Sequence, residues 1–238
     1  MQEEGKENDL PQVNVIIPAF NEDQAIAKVV NEVPDEVSEV IVVDNASTDR
    51  TSYNAKAAGA TVLKESRPGY GHACLKGITY CNRKQVPPDI IVFMDGDHSD
   101  HPQEMEKLVE PIYQQKADLV IGARVKELRE KGAMTFPQVF GNTLATRLMK
   151  LIFPRSPFTD LGPFRVIKLE RLNDLDMQDK TYGWTVEMQL KALKKNLRCE
   201  EIPVHYRNRI GVSKVSGTLK GAIFAGVKIL TWILKYAF

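Results

Sequence analysis

The chain alternates short runs of β-branched and other apolar residues with segments of helical spacing, and several of these runs end at a polar or acidic residue. The runs cover residues 13–17, 40–43, 60–63, 90–94 and 119–121. Continuous apolar runs of this length indicate strands that are buried on both faces. Strands that alternate with helices predict a mainly parallel central sheet flanked by helices, which is an α/β fold.

The remaining segments complete this organisation. Helices are predicted over residues 22–33, from an N-cap at Ser47 to residue 58, and over 140–153 and 185–195. Two further strands are predicted at 164–167 and 198–204. We divide the chain into a flexible polar leader over 1–11, one main domain over 12–215 and a C-terminal amphipathic helix over 216–238.

Composition excludes several classes of protein. The 238 residues carry a net charge of +1, so no overall attraction to nucleic acid is expected. Three cysteines without a CxxC pair argue against a disulfide framework or a zinc site and favour a reducing cytosol. The polar first residues do not resemble a signal peptide. We therefore expect a cytoplasmic protein.

Polar residues follow three of the predicted strands at the point where each strand ends. They are Asn21 and Glu22, Asp44 and Asn45, and Asp95 and Asp97. Because the carboxyl ends of parallel strands meet at one edge of a sheet, these side chains are expected to converge there. Ligands of open α/β sheets bind at this edge, so the convergence predicts a binding site.

The segment Asp95-Gly96-Asp97 places two carboxylates directly after a buried strand. Carboxylate oxygens suit Mg²⁺ or Mn²⁺, and Mg²⁺ often takes one or two carboxylates together with substrate phosphates. The pattern therefore predicts a divalent metal site that a diphosphate completes.

The acid after the second strand, Asp44, could hold a ribose or a base. In a dinucleotide-binding fold that acid accompanies a glycine-rich turn after the first strand, but here residues 18–22 read Pro-Ala-Phe-Asn-Glu. The dehydrogenase interpretation therefore fails. Gly69 and Gly71 precede a predicted helix, where backbone N–H groups could approach a diphosphate.

Together, residues 17–22, residues 43–49, the Gly69/Gly71 loop and Asp95-Gly96-Asp97 resemble family 2 of the glycosyltransferases, in order and spacing, across most of residues 13–125. The resemblance implies a GT-A fold and inverting transfer from a nucleotide sugar, with Asp97 catalytic. It also implies a metal held by Asp95, Asp97 and Ser99. The implied donor-binding residues are Pro18, Ala19, Asn21, Glu22, Asp44, Asn45, Ser47, Gly69, Gly71, Asp95 and Gly96.

The second half resembles the branch of that family that acts on polyprenol phosphates. The similarity is carried by residues 97–102, 122–124, 160–165 and 209–214. It implies a polyprenyl (lipid) phosphate acceptor, which is already anionic and is positioned by cations. Arginine suits this task because its planar fork matches phosphate oxygens. The implied acceptor residues are Arg124, Arg165, Arg209, Ser213 and Lys214, of which Arg124 and Lys214 are also catalytic candidates.

Two other interpretations concern the acceptor and the chemistry. If the acceptor were a sugar or small-molecule hydroxyl, a general base would be needed, and Glu187 is the candidate. A nucleotidyltransferase shares the acidic metal site, but it would open with a glycine-rich basic loop that this chain lacks.

The segment 217–238 is apolar and contains Lys220, Lys228 and Lys235 on one side of a helical wheel. If it spanned a bilayer, Lys228 would lie near the centre at a cost of roughly 2.5–3.5 kcal/mol. An interfacial helix is therefore favoured over a spanning one. We expect peripheral contact with the cytoplasmic face of a membrane, with packing on the domain as the alternative.

Overall fold

A computed structural model describes residues 11–211 and 219–237, and within these residues seven strands form one sheet in the order β3-β2-β1-β4-β6-β5-β7. The strands are β1 Val13–Ala19, β2 Glu39–Asp44, β3 Thr61–Lys64, β4 Ile90–Phe93, β5 Leu119–Ala123, β6 Arg165–Lys168 and β7 Cys199–Pro203. Neighbouring strands are parallel except where β6 pairs with β4 and β5. The predicted α/β architecture is confirmed.

Helices cover both faces of the sheet. They are α1 Ile26–Asn31, α2 Thr51–Ala57, α3 Tyr70–Asn82, α4 Met105–Tyr113, α5 Phe136–Ile152, α6 Leu169–Leu175, α7 Trp184–Lys194 and α8 Leu219–Ala237. Alternate residues of β1 enter different cores: Ile16 packs on the side of α3 and α7, whereas Val15 and Ile17 pack on the side of α1 and α4. This two-sided burial explains why the strands are continuous apolar runs.

Strand β6 runs against the direction of its neighbours. It begins at the edge where β4 and β5 end, with Arg165 opposite both Phe93 and Ile121. The segment before β6, residues 160–164, is therefore brought to the same edge as the acidic residues after β4.

The predicted start of helix α2 differs from the structure. Helix α2 begins at Thr51 rather than after Ser47, because the Ser47 hydroxyl instead accepts a hydrogen bond from the Asn21 N–H at 3.0 Å. The Ser47 N–H in turn donates to Asp44. Residues 47–50 thus form a loop over the end of β1. Nearly all of the predicted leader, and Ser213 and Lys214, lie outside the described residues.

The C-terminal helix α8 packs against α5 and α7. Trp232 and Ile233 are buried in this contact, while Val227, Leu230 and Leu234 are exposed. One side of the helix thus docks on the domain. No helix within residues 11–211 and 219–237 is both long and apolar enough to cross a bilayer.

Candidate active site

The carboxyl ends of three adjacent strands, β2, β1 and β4, form the floor of the candidate site. Ala19 at the end of β1 pairs in register with Asp44 at the end of β2. Asp95 and Asp97 follow β4, whose Phe93 lies opposite Ile16. The predicted convergence of the polar strand ends therefore follows from the parallel pairing.

Asp44 is buried and held by its own loop. Its carboxylate accepts hydrogen bonds from the Ser47 N–H at 2.9 Å and from the Ser52 hydroxyl. Asn21 stands opposite in a left-handed conformation with φ 54°, and its side-chain oxygen accepts from the Thr48 N–H at 2.8 Å. A carboxylate offers about four acceptor positions, so Asp44 retains capacity for a ligand donor.

Asn45 fixes the loop after β3. Its side-chain amide donates to the carbonyls of Glu65 and Arg67, at 3.2 and 2.7 Å, and its oxygen accepts the Gly69 N–H at 2.7 Å. Glu65 is locked on Arg67, which holds the pKa of Glu65 at about 2. The contacts give Asn45 a positioning role for the loop after β3.

Gly69 and Gly71 of that loop lie so close to another backbone segment that neither could carry a side chain. A side chain on Gly71 would overlap the Asp179 carbonyl, and one on Gly69 would overlap the Lys180 carbonyl. Lys180 also accepts a hydrogen bond from the His72 N–H at 3.2 Å. The close neighbour of the Gly69–Gly71 turn is therefore the backbone of residues 179–180, and the Gly69 N–H is already used by Asn45.

Three carboxylates, those of Asp95, Asp97 and Asp100, lie together after β4. Ser99 donates to Asp97 through its N–H at 2.9 Å and its hydroxyl at 2.5 Å, and the Asp95 N–H donates to Asp100 at 3.2 Å. Gly96 is packed against Ile17 and Ile26, so a side chain there would crowd the core. Hydrogen bonds and packing thus fix the position of residues 95–97 and of Ser99.

Burial and mutual repulsion dominate the electrostatics of this cluster. Burial of its carboxylate, and next the charge of Asp97, raise the pKa of Asp95 to about 7. Burial and the charges of Asp95 and Asp97 also raise the pKa of Asp100 well above its usual range. Such shifts mark a site with more negative charge than its surroundings compensate.

A cation, Arg209, contacts the cluster directly. Arg209 contacts Asp97 at 2.8 Å and Glu22 at 3.4 Å through its Nη2 atom. Its neighbour Arg207 binds Glu32 at 2.6 Å and the carbonyls of His98 and Asp100. Backbone bonds from Arg207 to Ser99 and from Ile210 to Asp97 tie this segment to the acidic loop. Sequence reasoning gave no role to Glu32, because its partners are distant in the chain.

The donor set fits a divalent ion completed by phosphate. Residues 11–211 and 219–237 contain no group of three His, Cys, Asp or Glu side chains arranged to hold a metal alone. An Asp97 oxygen nevertheless contacts the positively charged Arg209, so this oxygen is available to a cation. Asp100 Oδ1 is buried without a described hydrogen-bond partner. Asp95 and Asp97 can therefore provide carboxylate ligands, with the Ser99 hydroxyl beside them.

Arg124 and Arg165 make their contacts inside the protein. Arg124 donates to Asp160 through Nε at 2.7 Å, Nη2 at 2.8 Å and its backbone N–H. Arg165 is fully buried, and its guanidinium donates to the carbonyls of Thr185 and Gly162. Burial lowers the pKa of Arg165 to about 10. These contacts favour positioning of the 160–165 segment over direct acceptor binding.

Glu187 is also fully buried. Its two oxygens accept the N–H groups of Gln178 and Asp179 at 2.8 and 2.7 Å, and Lys191 lies 2.7 Å away. With its carboxylate committed in this way, Glu187 is suited to hold the 178–179 backbone, and its contacts do not favour a role as general base.

A cavity of about 200 Å³ opens beside Asp95. Its lining residues are Tyr70, Asp95, Pro163, Thr181, Tyr182, Trp184 and Thr185. Aromatic and hydroxyl side chains next to an acidic cluster suit a sugar or a small polar headgroup. Sequence reasoning did not select Tyr70 or Trp184, because nothing local shows that they face the strand ends.

Comparison with known proteins decides the family. Residues 14–175 match the family model described as glycosyl transferase family 2. The chain belongs to this family of glycosyltransferases. A relative described as an uncharacterized glycosyltransferase of Mycobacterium tuberculosis is 34% identical over 216 residues, which span 90% of this chain and 94% of the relative.

Two further comparisons bear on the acceptor and on the fold. The undecaprenyl-phosphate mannosyltransferase of Micrococcus luteus is 28% identical over 236 residues, covering 92% of this chain and 93% of that protein. Glucosyl-3-phosphoglycerate synthase of Mycobacterium tuberculosis, in complex with Mn²⁺, UDP and glucosyl-3-phosphoglycerate, superimposes with a TM-score of 0.75 at 21% identity, over 95% and 80% of the chains. The expected GT-A fold is confirmed.

Proposed function

We propose that this glycosyltransferase moves a sugar, with inversion, from a UDP- or GDP-linked donor to a polyprenyl phosphate. The main observation in support is that α5 and α8, which pack against each other, expose an apolar surface and contain no acidic residue. The lipid-phosphate relatives support the same acceptor: besides the mannosyltransferase, the dolichyl-phosphate hexose transferase of Haloferax volcanii is 28% identical over 213 residues.

Exposed side chains on the two helices define the proposed membrane surface. They are Phe136, Phe140, Leu144 and Leu151 on α5, and Val227, Leu230 and Leu234 on α8. Residues 131–159 and 202–238, which contain these helices, include no Asp or Glu but ten Lys and Arg. An apolar surface on a part of the chain that is rich in cations and free of acids fits an anionic leaflet. Peripheral contact thus uses α5 as well as the predicted C-terminal segment.

The strand ends would hold the donor. In this proposal Asp44 and Asn21 contact the nucleoside, and Asp95 and Asp97 hold Mg²⁺ or Mn²⁺. The ion would neutralise charge on the diphosphate leaving group. Arg209, which pairs with Asp97, is placed to contact phosphate oxygens.

An acceptor phosphate needs no general base, because it is already anionic near neutral pH (the second pKa of a phosphate ester is about 6). This requirement agrees with the structure, since Glu187 is fully used by Gln178, Asp179 and Lys191. The proposed chemistry is therefore attack by a phosphate oxygen on the anomeric carbon, with departure of the nucleoside diphosphate. Arg209 and Lys214 are the proposed acceptor cations.

The decisive experiment offers a panel of nucleotide sugars, with Mn²⁺, to two acceptors and detects products by mass spectrometry. The acceptors are polyprenyl phosphate and phosphoglyceric acid, which the structural neighbour binds. We expect a glycosylated lipid phosphate and no product with phosphoglyceric acid. The opposite pattern would overturn the lipid acceptor.

Asp97→Asn provides the matched negative variant because it keeps the side-chain shape while removing a charge. We expect loss of transfer and of Mn²⁺-dependent nucleoside diphosphate binding in calorimetry. Asp23→Asn, an acid near the end of β1 with no proposed ligand, should retain both. Full turnover in EDTA would refute the metal assignment.

A further inference from the structure

The buried carboxylate of Asp179 joins helix α8 to the segment that lines the cavity. Its Oδ2 atom accepts the Trp232 indole N–H at 2.7 Å and lies 3.1 Å from Lys228 Nζ. Its Oδ1 atom accepts the backbone N–H groups of Thr181 and Gly183, at 2.7 and 3.1 Å. One side chain thus connects a peripheral helix to the turn of residues 178–183.

The 178–183 segment contacts the candidate site at two places. The carbonyls of Asp179 and Lys180 fill the space that side chains would need at Gly71 and Gly69, beside the donor region. Thr181 and Tyr182 line the cavity together with Asp95. The position of this segment therefore sets the shape of the cavity next to the acidic cluster.

Gly183 shows how closely α8 approaches. A side-chain carbon at Gly183 would lie 2.5 Å from Asp179 Oδ2 and 2.5 Å from Trp232 Cδ1. The backbone there has φ −85°, which any residue can adopt. Glycine is required by the contact between Trp232 and Asp179 and not by the conformation of the turn.

Two further hydrogen bonds hold the start of the segment, because the N–H groups of Gln178 and Asp179 donate to Glu187. These bonds fix where the segment begins. The bonds from Asp179 to α8 fix how its later residues sit over the cavity. Cutting the link to α8 should therefore free residues 180–183 while leaving α7 in place.

We propose that Asp179 is a positioning residue through which α8, by way of Trp232 and Lys228, braces the 178–183 segment in the shape that transfer requires. The inference rests on the proposed function for its catalytic part. Its structural part, the brace, stands on the contacts alone. Since α8 also carries part of the proposed membrane surface, the link joins that surface to the site.

The test uses the full chain with Trp232→Phe combined with Lys228→Met. The pair removes the two α8 donors and leaves the bonds of Asp179 within the turn intact. Gly183→Ala breaks the same contact from the other side and serves as a second, independent variant. The controls on α8 are Ile233→Val, which is buried without a polar contact, and Gly226→Ala, where no described atom lies within 4 Å of an added carbon.

Hydrogen exchange on the substrate-free protein tests the brace without any assumption about activity. We expect amides 180–183 to exchange about tenfold or more faster in both disrupting variants, the size that fits loss of a hydrogen bond to a charged group. Amides of α7 and both controls should match the wild type. Unchanged exchange in residues 180–183 would overturn the brace, even if the protein proved to have another activity.

Kinetics test the catalytic part. We expect kcat for transfer to fall roughly tenfold, with the Kd for nucleoside diphosphate and Mn²⁺ within about twofold of wild type. Faster exchange with an unaltered kcat would show that the reaction does not use this segment and would overturn the positioning role. A wild-type protein inactive on lipid phosphate would refute the proposed function and leave the exchange result standing.

Discussion

At the scale of single residues, the acidic cluster is short of positive charge. In the described part of the chain only Asp97, of the three clustered aspartates, has an ion pair, and its partner is Arg209. A nucleoside diphosphate would bring further negative charge to the same place. An added cation would offset that charge, which is the physical argument for the proposed metal beside Asp95 and Asp97.

Glu187→Gln separates a structural role from that of a general base. The amide cannot accept both backbone N–H groups and also pair with Lys191, so we expect the free energy of unfolding to fall by about 3–5 kcal/mol, as for a broken buried pair. Below its melting temperature the variant should keep the shape of its pH–rate profile, and its kcat should fall by no more than about tenfold, the loss expected when the 178–183 segment loosens. Urea titration and transfer assays provide the two measurements.

A different result is expected if Glu187 is a general base. Loss of a general base costs typically ~10²–10⁴-fold in rate. A loss of that size without a drop in stability would place Glu187 in the chemistry and move the acceptor to a hydroxyl.

Glu32 predicts a specific acid sensitivity. Burial alone would raise its pKa, but hydrogen bonds from Arg207 and His98, with their charges, lower the pKa from 4.5 to about 2. A depressed carboxylate pKa contributes stability that is fully present above the unfolded value of 4.5 and is lost as pH falls toward 2. The stability difference between wild type and Glu32→Gln should therefore be largest at about pH 5–6 and shrink on acidification.

Urea unfolding of both proteins across that range measures this difference. Asp35→Asn, which removes a charge from an exposed acid on the loop after α1, is the control for the loss of a surface charge. A constant difference between wild type and Glu32→Gln down to about pH 2.5 would mean that the carboxylate is not responsible.

The sequence predicted the acidic residues of the site because their positions follow from where strands end. Asp44, Asp95 and Asp97 needed only the parallel order of neighbouring strands. Arg165 contacts the Thr185 carbonyl 20 residues later in the chain, and Glu187 contacts a turn 8 or 9 residues earlier. Sequence spacing carries no record of either contact. Gly71 was predicted to let backbone N–H groups approach a diphosphate, and in the structure the backbone of residues 179–180 lies next to it.

At the scale of elements, the direction of strand β6 is the feature that the sequence does not predict. The apolar run at residues 164–167 predicts a strand, yet strand propensity has no direction. Its antiparallel pairing with β4 and β5 arises from where the chain re-enters the sheet. That reversal delivers Pro163 to the cavity, so a part of the site that sequence could not anticipate depends on one strand direction.

The C-terminal segment was expected either to contact a membrane or to pack on the domain, and helix α8 has a side suited to each. Its buried side, with Trp232 and Ile233, docks on the domain, and its other side exposes Val227 and Leu234. The helix has more apolar side chains than its contact with the domain can cover, so some of them stay exposed. The membrane part of the proposal rests on this remainder.

Val227→Glu combined with Leu234→Glu tests that remainder. Two acids on the exposed apolar side of α8 should weaken co-sedimentation with anionic vesicles about tenfold or more, since each charge contributes about 1 kcal/mol near such a leaflet. Val86→Glu is the matched control, because Val86 is 61% exposed and Val227 57% exposed, and Val86 lies in the loop before β4. Equal losses in the two proteins would argue against a membrane surface on α8.

At the scale of the whole molecule, the net charge of +1 conceals a strong asymmetry. Residues 1–130 contain 14 Lys and Arg against 23 Asp and Glu, whereas residues 131–238 contain 18 against 8. The acidic part includes the strand ends that would bind metal and donor. The basic part includes both helices of the proposed membrane surface. A protein with this distribution should orient itself on an anionic leaflet although its total charge is close to zero.

Orientation predicts a dependence of transfer on lipid charge. With polyprenyl phosphate in vesicles, we expect several-fold faster product formation on anionic than on neutral lipid at low salt, because the basic part concentrates the enzyme where its acceptor lies. About 0.5 M NaCl should remove the difference, since screening then shortens the reach of surface charge to a few ångströms. In neutral detergent micelles, where no leaflet attracts the protein, salt should have little effect on the comparison. Equal rates on both vesicle types at low salt would mean that charge asymmetry does not direct the enzyme to its acceptor.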